Sequence, residues 1–108
     1  MKYGLRDSHV EQILLVLRNY PSIDRAILYG SRAKGNYREA SDIDLTLLGD
    51  TLDLDLLHSI ENALDELLLP YTIDLSIFHK IENTDLIEHI KRVGIVIYDR
   101  DNSINTSN

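Results

Sequence analysis

Gly30-Ser31-Arg32-Ala33-Lys34-Gly35-Asn36-Tyr37-Arg38-Glu39-Ala40-Ser41-Asp42-Ile43-Asp44-Leu45 is the stretch from which both the fold and the chemistry of this chain are read. It begins with a small-residue turn suited to holding a phosphate, because glycine lets backbone come close to a ligand. It ends with two carboxylates one residue apart, and three basic side chains, Arg32, Lys34 and Arg38, lie between. An anion-holding turn joined to paired acids reads as a site for a metal-bound nucleoside triphosphate.

Working outward, residues 25–29 form a short apolar run ending at Gly30, which predicts a buried strand. Residues 31–35 suit one helical turn, which Ser31 can cap, and Gly35-Asn36 is a turn signal. Residues 42–48 read as a second strand with Asp42, Asp44 and Thr46 on one face and Ile43, Leu45 and Leu47 on the other. Upstream, Ser8-His9-Val10-Glu11 has the form of a capping box and opens a helix over 9–19 that Pro21 stops. Downstream, a helix is expected over 54–68, with Leu57, Ile60, Leu64, Leu67 and Leu68 on its core side, until Pro70 breaks it. A two-faced strand follows over 71–78, setting Thr72, Asp74 and Ser76 against Ile73, Leu75 and Ile77. A helix over 85–93, started by Asn83, Thr84 or Asp85 and ended by Gly94, precedes a short strand over 95–98. Strands alternating with helices indicate a layered α/β or α+β domain.

At 108 residues the chain has the size of one domain with one real core. We read 1–108 as a single domain, its core about 9–98 and its polar tail 99–108 loose. Hydrophobic residues at 44% and charged residues at 27% are globular values rather than those of a disordered chain. With no Cys there is neither a disulfide framework nor a thiolate metal site. No apolar run approaches the roughly 18 residues that span a bilayer, and residues 1–6 lack the form of a signal peptide. A cytoplasmic protein without a membrane partner is therefore expected. The formal net charge of −7 argues against direct binding of nucleic-acid backbone. The local basic cluster favours a small anionic ligand instead.

Residues i and i+2 of a strand project to one side, so Asp42 and Asp44 present neighbouring carboxylates. Two unit charges ~4 Å apart repel by about 1 kcal/mol in water and about 4 kcal/mol at an effective dielectric of 20. Such a pair calls for a cation or a shared proton, and an all-oxygen set suits Mg²⁺ completed by substrate phosphates. A D-x-D pair also suits a turn cap beside a solvated strand end. Here Ser41 offers the cap, and Ile43 and Leu45 continue a buried strand. Asp74 joins the pair if the two strands are neighbours, either completing a two-metal site or taking a proton from an attacking hydroxyl. Arg32 and Lys34 are candidate phosphate contacts, as is Arg38. His9, His58, His79 and His89 are scattered and read as surface or edge residues.

Gly30-Ser31, ten residues, then Asp42-Ile43-Asp44 resembles the G-S-x10-D-x-D signature of the DNA polymerase β-like nucleotidyltransferase superfamily. Within it, the short chain and the wording Gly-Ser-Arg-Ala-Lys-Gly-Asn-Tyr resemble the minimal nucleotidyltransferases, or MNT domain proteins. The resemblance covers about residues 9–98, and Asp74 falls where that family carries its third carboxylate. It implies a mixed β-sheet with helices packed mainly on one side. It implies that Gly30 and Ser31 bind the β- and γ-phosphates, that Asp42 and Asp44 ligate Mg²⁺, and that Asp74 completes the metal site or acts as base. The implied reaction is attack of a hydroxyl on the α-phosphate of a nucleoside triphosphate, ATP being the one expected, with release of pyrophosphate. Glu39-Ala40 stands where many relatives have Pro-Gly, which implies a less rigid loop.

Relatives that modify tRNA or antibiotics carry further domains for the acceptor, whereas this chain ends soon after the core. The acceptor is therefore expected on a partner. Minimal nucleotidyltransferases are often encoded beside a small helical HEPN protein in toxin–antitoxin pairs. The resemblance thus implies an antitoxin that adds AMP to a tyrosine of its HEPN toxin within a hetero-oligomer. Two alternatives stand beside it: nucleotide transfer to a small molecule by a two-subunit enzyme, and a non-enzymatic module that neutralises its partner by contact.

Overall fold

Two strands flanking the Gly30 turn, β1 (Arg25–Tyr29) and β2 (Ile43–Leu48), pair antiparallel at the centre of a four-stranded sheet. This computed structural model describes residues 1–101. Around the two strands the chain adds α1 (Asp7–Arg18), α2 (Gly30–Lys34), α3 (Leu54–Asp65), β3 (Ile73–Ile77), α4 (Thr84–Val93) and β4 (Ile95–Asp99). The sheet order is β3-β2-β1-β4. Among the described strands only β2 and β3 run parallel, which needs a long crossover, and α3 supplies it. Among the described residues the result is a mixed sheet with four α-helices and one 3-10 turn (Phe78–Lys80) in an α+β arrangement.

Period-two alternation sorts the sheet into an apolar and a chemical face. Ala26, Leu28, Ile43, Leu45, Leu47, Leu75 and Ile77 form one buried cluster with Ile13 and Leu17 of α1 and Ile60 and Leu64 of α3. The reverse face carries Tyr29, Asp44, Thr46, Asp74 and Ser76, partly covered by α4, whose following Gly94 sits against Ile27.

Several boundaries differ from the sequence expectation. Helix α1 starts at Asp7 with Arg6 as N-cap and no side-chain cap, so the Ser8–Glu11 box is not used. The chain reaches Arg6 through a tight N-terminal turn closed by Leu5 N donating to the Lys2 carbonyl at 2.8 Å. That path starts the helix before Ser8, and Asp7 then complements the positive N-terminal end. Helix α3 ends at Asp65 instead of 68. Leu68 takes φ 55 and is 88% exposed, so it is not a core residue; the chain turns outward there ahead of Pro70.

Asp53 and Asn83 cap α3 and α4: Asp53 accepts from Leu56 N at 2.8 Å, and Asn83 accepts from Asp85 N at 2.9 Å. Strands β2 and β3 are shorter than expected and begin at Ile43 and Ile73. The start of the expected loose tail is tied down instead. Asp99 ends β4 and pairs with Arg25 at 3.3 Å, and Arg100 pairs with Asp24 at 2.9 Å. The rest of that tail, 102–108, lies outside the described residues. Among the described residues no helix is long and apolar enough to cross a membrane.

Candidate active site

Strand register brings the three acids together. Tyr29 lies opposite Asp44 in the antiparallel pair, and Asp44 lies opposite Asp74 in the parallel pair, so the three form one row across β1, β2 and β3. Asp42 stands immediately before β2. Asp42 and Asp74 are exposed, whereas Asp44 is half-buried between them. Burial, then the charge of Asp74, then that of Asp42 raise the Asp44 carboxyl above its ordinary range. A carboxyl raised in this way by neighbouring anions belongs to an all-oxygen set of the kind that suits a hard cation. Among the described residues no three Asp, Glu, His or Cys side chains are gathered tightly enough to hold an ion by themselves. Asp42, Asp44 and Asp74 do not form such a set alone, so a hard cation such as Mg²⁺ held here would need its remaining oxygens from water and phosphate.

The turn before α2 is built around Gly30. Its φ of 74 is a left-handed conformation, and a Cβ there would collide with Asp44 Oδ2 and lie 3.2 Å from Cγ. Glycine is thus required twice, for conformation and for space. The five-residue α2 has Tyr29 as N-cap and no side-chain cap, so Ser31 does not cap it. Ser31 is half-buried and Lys34 exposed.

Arg32 does not stand where a phosphate contact needs it. The single turn of α2 directs it inward, where it is 1% exposed. Its Nη1 donates to the Tyr3 carbonyl at 2.9 Å, and its Nη2 to the carbonyls of Glu39 at 3.2 Å and Ser41 at 2.8 Å. Its Nε also donates to Ser41, at 3.1 Å. The guanidinium further lies 5.4 Å from the Tyr37 ring centre and 5.1 Å from that of Tyr71. A planar five-donor fork suits this work as no other side chain does. The guanidinium binds the loop ahead of Asp42, and the phosphate role expected of it is corrected. Arg38 is exposed, and its N–H donates to Ser41 Oγ at 2.8 Å.

Two residues of the site were missed in the sequence. Tyr29 is buried beside the acids; burial raises its hydroxyl above the ordinary value, a hydrogen bond with Ser76 opposes this, and the charges of Asp74 and Asp44 add to it. Strand alternation placed it on the Asp44 face, so a signal existed. His89 is half-buried, accepts a hydrogen bond on Nε2 from Gly30 N at 3.2 Å, and meets Tyr29 edge-on with ring centres 6.2 Å apart. Its signal was its spacing from Leu86 and Val93, which puts it on the packed stripe of α4. His9 also has a partner, Tyr71 Oη, at 3.3 Å. A cleft of about 750 Å³ bordered by Arg6, His9, Tyr37, Glu39 and Tyr71 contains none of the three acids.

Residues 11–103 match the family model described as Polymerase beta, Nucleotidyltransferase. None of the curated proteins matches the chain. Among solved structures, a toxin–antitoxin crystal structure with AMP-PNP is 26% identical with a TM-score of 0.68, covering 83% of this chain and 73% of that one. An MntA–HepT toxin–antitoxin structure is 23% identical with a TM-score of 0.64, over 91% of this chain and 76% of that one. A tri-AMPylated Shewanella oneidensis HEPN toxin in complex with its MNT antitoxin is 22% identical with a TM-score of 0.66, over 94% and 79%. The last two likenesses are of fold.

Proposed function

Because the chain belongs to the polymerase beta nucleotidyltransferase family over residues 11–103, we propose that it transfers AMP from ATP to a tyrosine of a HEPN partner as the antitoxin of a toxin–antitoxin pair. The observation that carries this reading is the row of Asp44 and Asp74, with Asp42 one step away, beside a glycine turn packed on Asp44. The likeness to a toxin–antitoxin structure holding AMP-PNP supports the nucleotide and the kind of partner. A tyrosine acceptor follows from the resemblance to minimal nucleotidyltransferases.

In this reading Gly30 and Ser31 seat the β- and γ-phosphates, and exposed Lys34 adds positive charge near them. Asp42 and Asp44 hold Mg²⁺, with Asp74 completing a two-metal set or accepting the acceptor's proton. Bound Mg²⁺ would neutralise the phosphates and make the α-phosphorus more electrophilic. The acceptor oxygen forms the new bond to the α-phosphorus, the bond to the bridging oxygen breaks, and pyrophosphate leaves. The phenolic proton passes to Asp74 or to water. Catalysis here is positioning and charge stabilisation rather than covalent work by the protein.

Incubation with the partner, ATP and Mg²⁺ should add the mass of AMP to the partner, and Asp42→Ala should abolish the gain. Mg²⁺-ATP should also raise the melting temperature of the chain alone. An authentic partner that gains no mass overturns the reading in favour of neutralisation by contact.

A further inference from the structure

Helix α4 is an outer element of the reverse face, and it reaches the site through His89. His89 shares the stripe of Leu86, Ile90 and Val93, and Ile90 is buried at 2% exposure. The imidazole stands edge-on to Tyr29 at an interplanar angle of 80°, which fixes its plane. Its Nε2 then meets the Gly30 N–H at 3.2 Å. A backbone N–H only donates, so Nε2 is the acceptor and the geometry calls for the neutral Nδ1–H form of the ring. On its other side Gly30 lies so close to Asp44 that a Cβ would collide with Oδ2. The contacts form a chain: Tyr29 orients His89, His89 holds Gly30, and Gly30 abuts the central carboxylate.

We infer that His89 is a positioning residue of the carboxylate site, holding the Gly30 turn against Asp44 through the Gly30 N–H. The inference rests on the reading of this face as a nucleotide site, and it gives α4 a part in that site. Without an acceptor on His89, a half-buried N–H loses its protein partner. The left-handed turn is then free to move away from Asp44, and the carboxylate loses the wall that limits its rotamers. The neighbouring α4 residues Glu88, Lys91 and Arg92 are exposed.

Two variants of the full chain separate this hydrogen bond from ring packing. His89→Phe keeps an aromatic edge on Tyr29 and removes the acceptor. His89→Gln restores an acceptor oxygen near the position of Nε2. Mg²⁺-ATP affinity is read by calorimetry, the Gly30 amide by NMR, and folding by thermal melting. The Phe variant should lose affinity about tenfold as the Gly30 turn leaves Asp44, a change worth about 1.4 kcal/mol, with a displaced Gly30 amide resonance. The Gln variant should return to within about threefold of wild type, since it regains a neutral hydrogen bond. A Phe variant with wild-type affinity overturns the inference, and so does a Gln variant as weak as Phe. If the Phe variant does not fold, Gln decides alone: near-native affinity supports the inference and a tenfold loss overturns it. Wild-type chain that does not bind Mg²⁺-ATP overturns the nucleotide reading itself, and the inference with it. Wild type that binds beside an unaffected Phe variant overturns the inference alone.

Discussion

Arg32 holds the carbonyl oxygen of Ser41 with two donors at once, Nε at 3.1 Å and Nη2 at 2.8 Å. Ser41 directly precedes Asp42, so a buried cation in α2 sets where the first acid of the site begins. The same guanidinium holds the carbonyls of Tyr3 and Glu39, tying the N-terminal turn to the loop.

Arg32→Lys keeps the charge and loses the planar fork, so one compact ammonium replaces the spread donors that reach the Tyr3, Glu39 and Ser41 carbonyls. A cost of about 2–4 kcal/mol is expected from the lost charge-assisted bonds. That lowers the melting temperature by on the order of 10 °C or more in a domain of this size. Circular dichroism melts measure it; an unchanged midpoint would show that lysine can replace the clamp.

Gly30→Ala meets two obstacles, a φ of 74 and the Asp44 carboxylate. The left-handed conformation alone costs about 1–2 kcal/mol in a residue with a Cβ. Displacing Asp44 by about 1 Å should cost about 10²-fold in transfer rate. The rate of the proposed reaction is followed as AMP incorporated into a HEPN partner. A folded Ala variant of wild-type rate would remove Gly30 from the site.

Asp44 gives a pH signature. Its carboxyl is raised in the folded chain by burial and by Asp74 and Asp42, relative to an ordinary value of 3.8. The folded state therefore disfavours the charged form. Without metal, the penalty is absent at pH well below 3.8, grows as pH rises through that value, and is complete above the raised folded value. Asp44→Asn should accordingly melt higher than wild type near pH 7 in a metal chelator, the gap closing toward pH 3, while the proposed transfer is lost. A gap that widens on acidification contradicts this sign.

Thr46 is fully buried, and its Oγ1 has no hydrogen-bond partner among the described residues. An orphaned buried hydroxyl costs about 1–3 kcal/mol, and valine matches the shape without it. Thr46→Val should raise the melting temperature by about 4–8 °C per kcal/mol recovered. A lower midpoint would mean that this hydroxyl has a partner in solution, such as a buried water.

Much of this was written into local pattern. The alternation of Asp42-Ile43-Asp44-Leu45 with Thr46 and Leu47 told which side of β2 meets the core, because a strand's period of two leaves no freedom in that choice. The glycines and prolines marked where elements end, although Leu68 left its helix earlier than its apolar character suggested. The motif joining Gly30-Ser31 to Asp42 and Asp44 led to the family that residues 11–103 match.

Side-chain destinations across the fold were different. Arg32 sits in a basic, turn-like run, and no periodicity extends over a five-residue helix to say that it points inward. His89 follows the stripe of α4, but that its ring ends on Gly30 depends on where α4 crosses β1. Asp74 joins Asp44 only because α3 carries the chain back into a parallel pairing at that register. The sequence by itself determined the elements, their buried faces and the class of chemistry, since these follow from residues a few positions apart. Only the tertiary structure decided which acids share a row and which basic side chains are spent on backbone carbonyls. Asp44 meets Asp74 and Gly30 meets His89 across 30 and 59 residues, and Arg32 reaches Tyr3 across 29 as well as the nearby loop, meetings that no local rule contains.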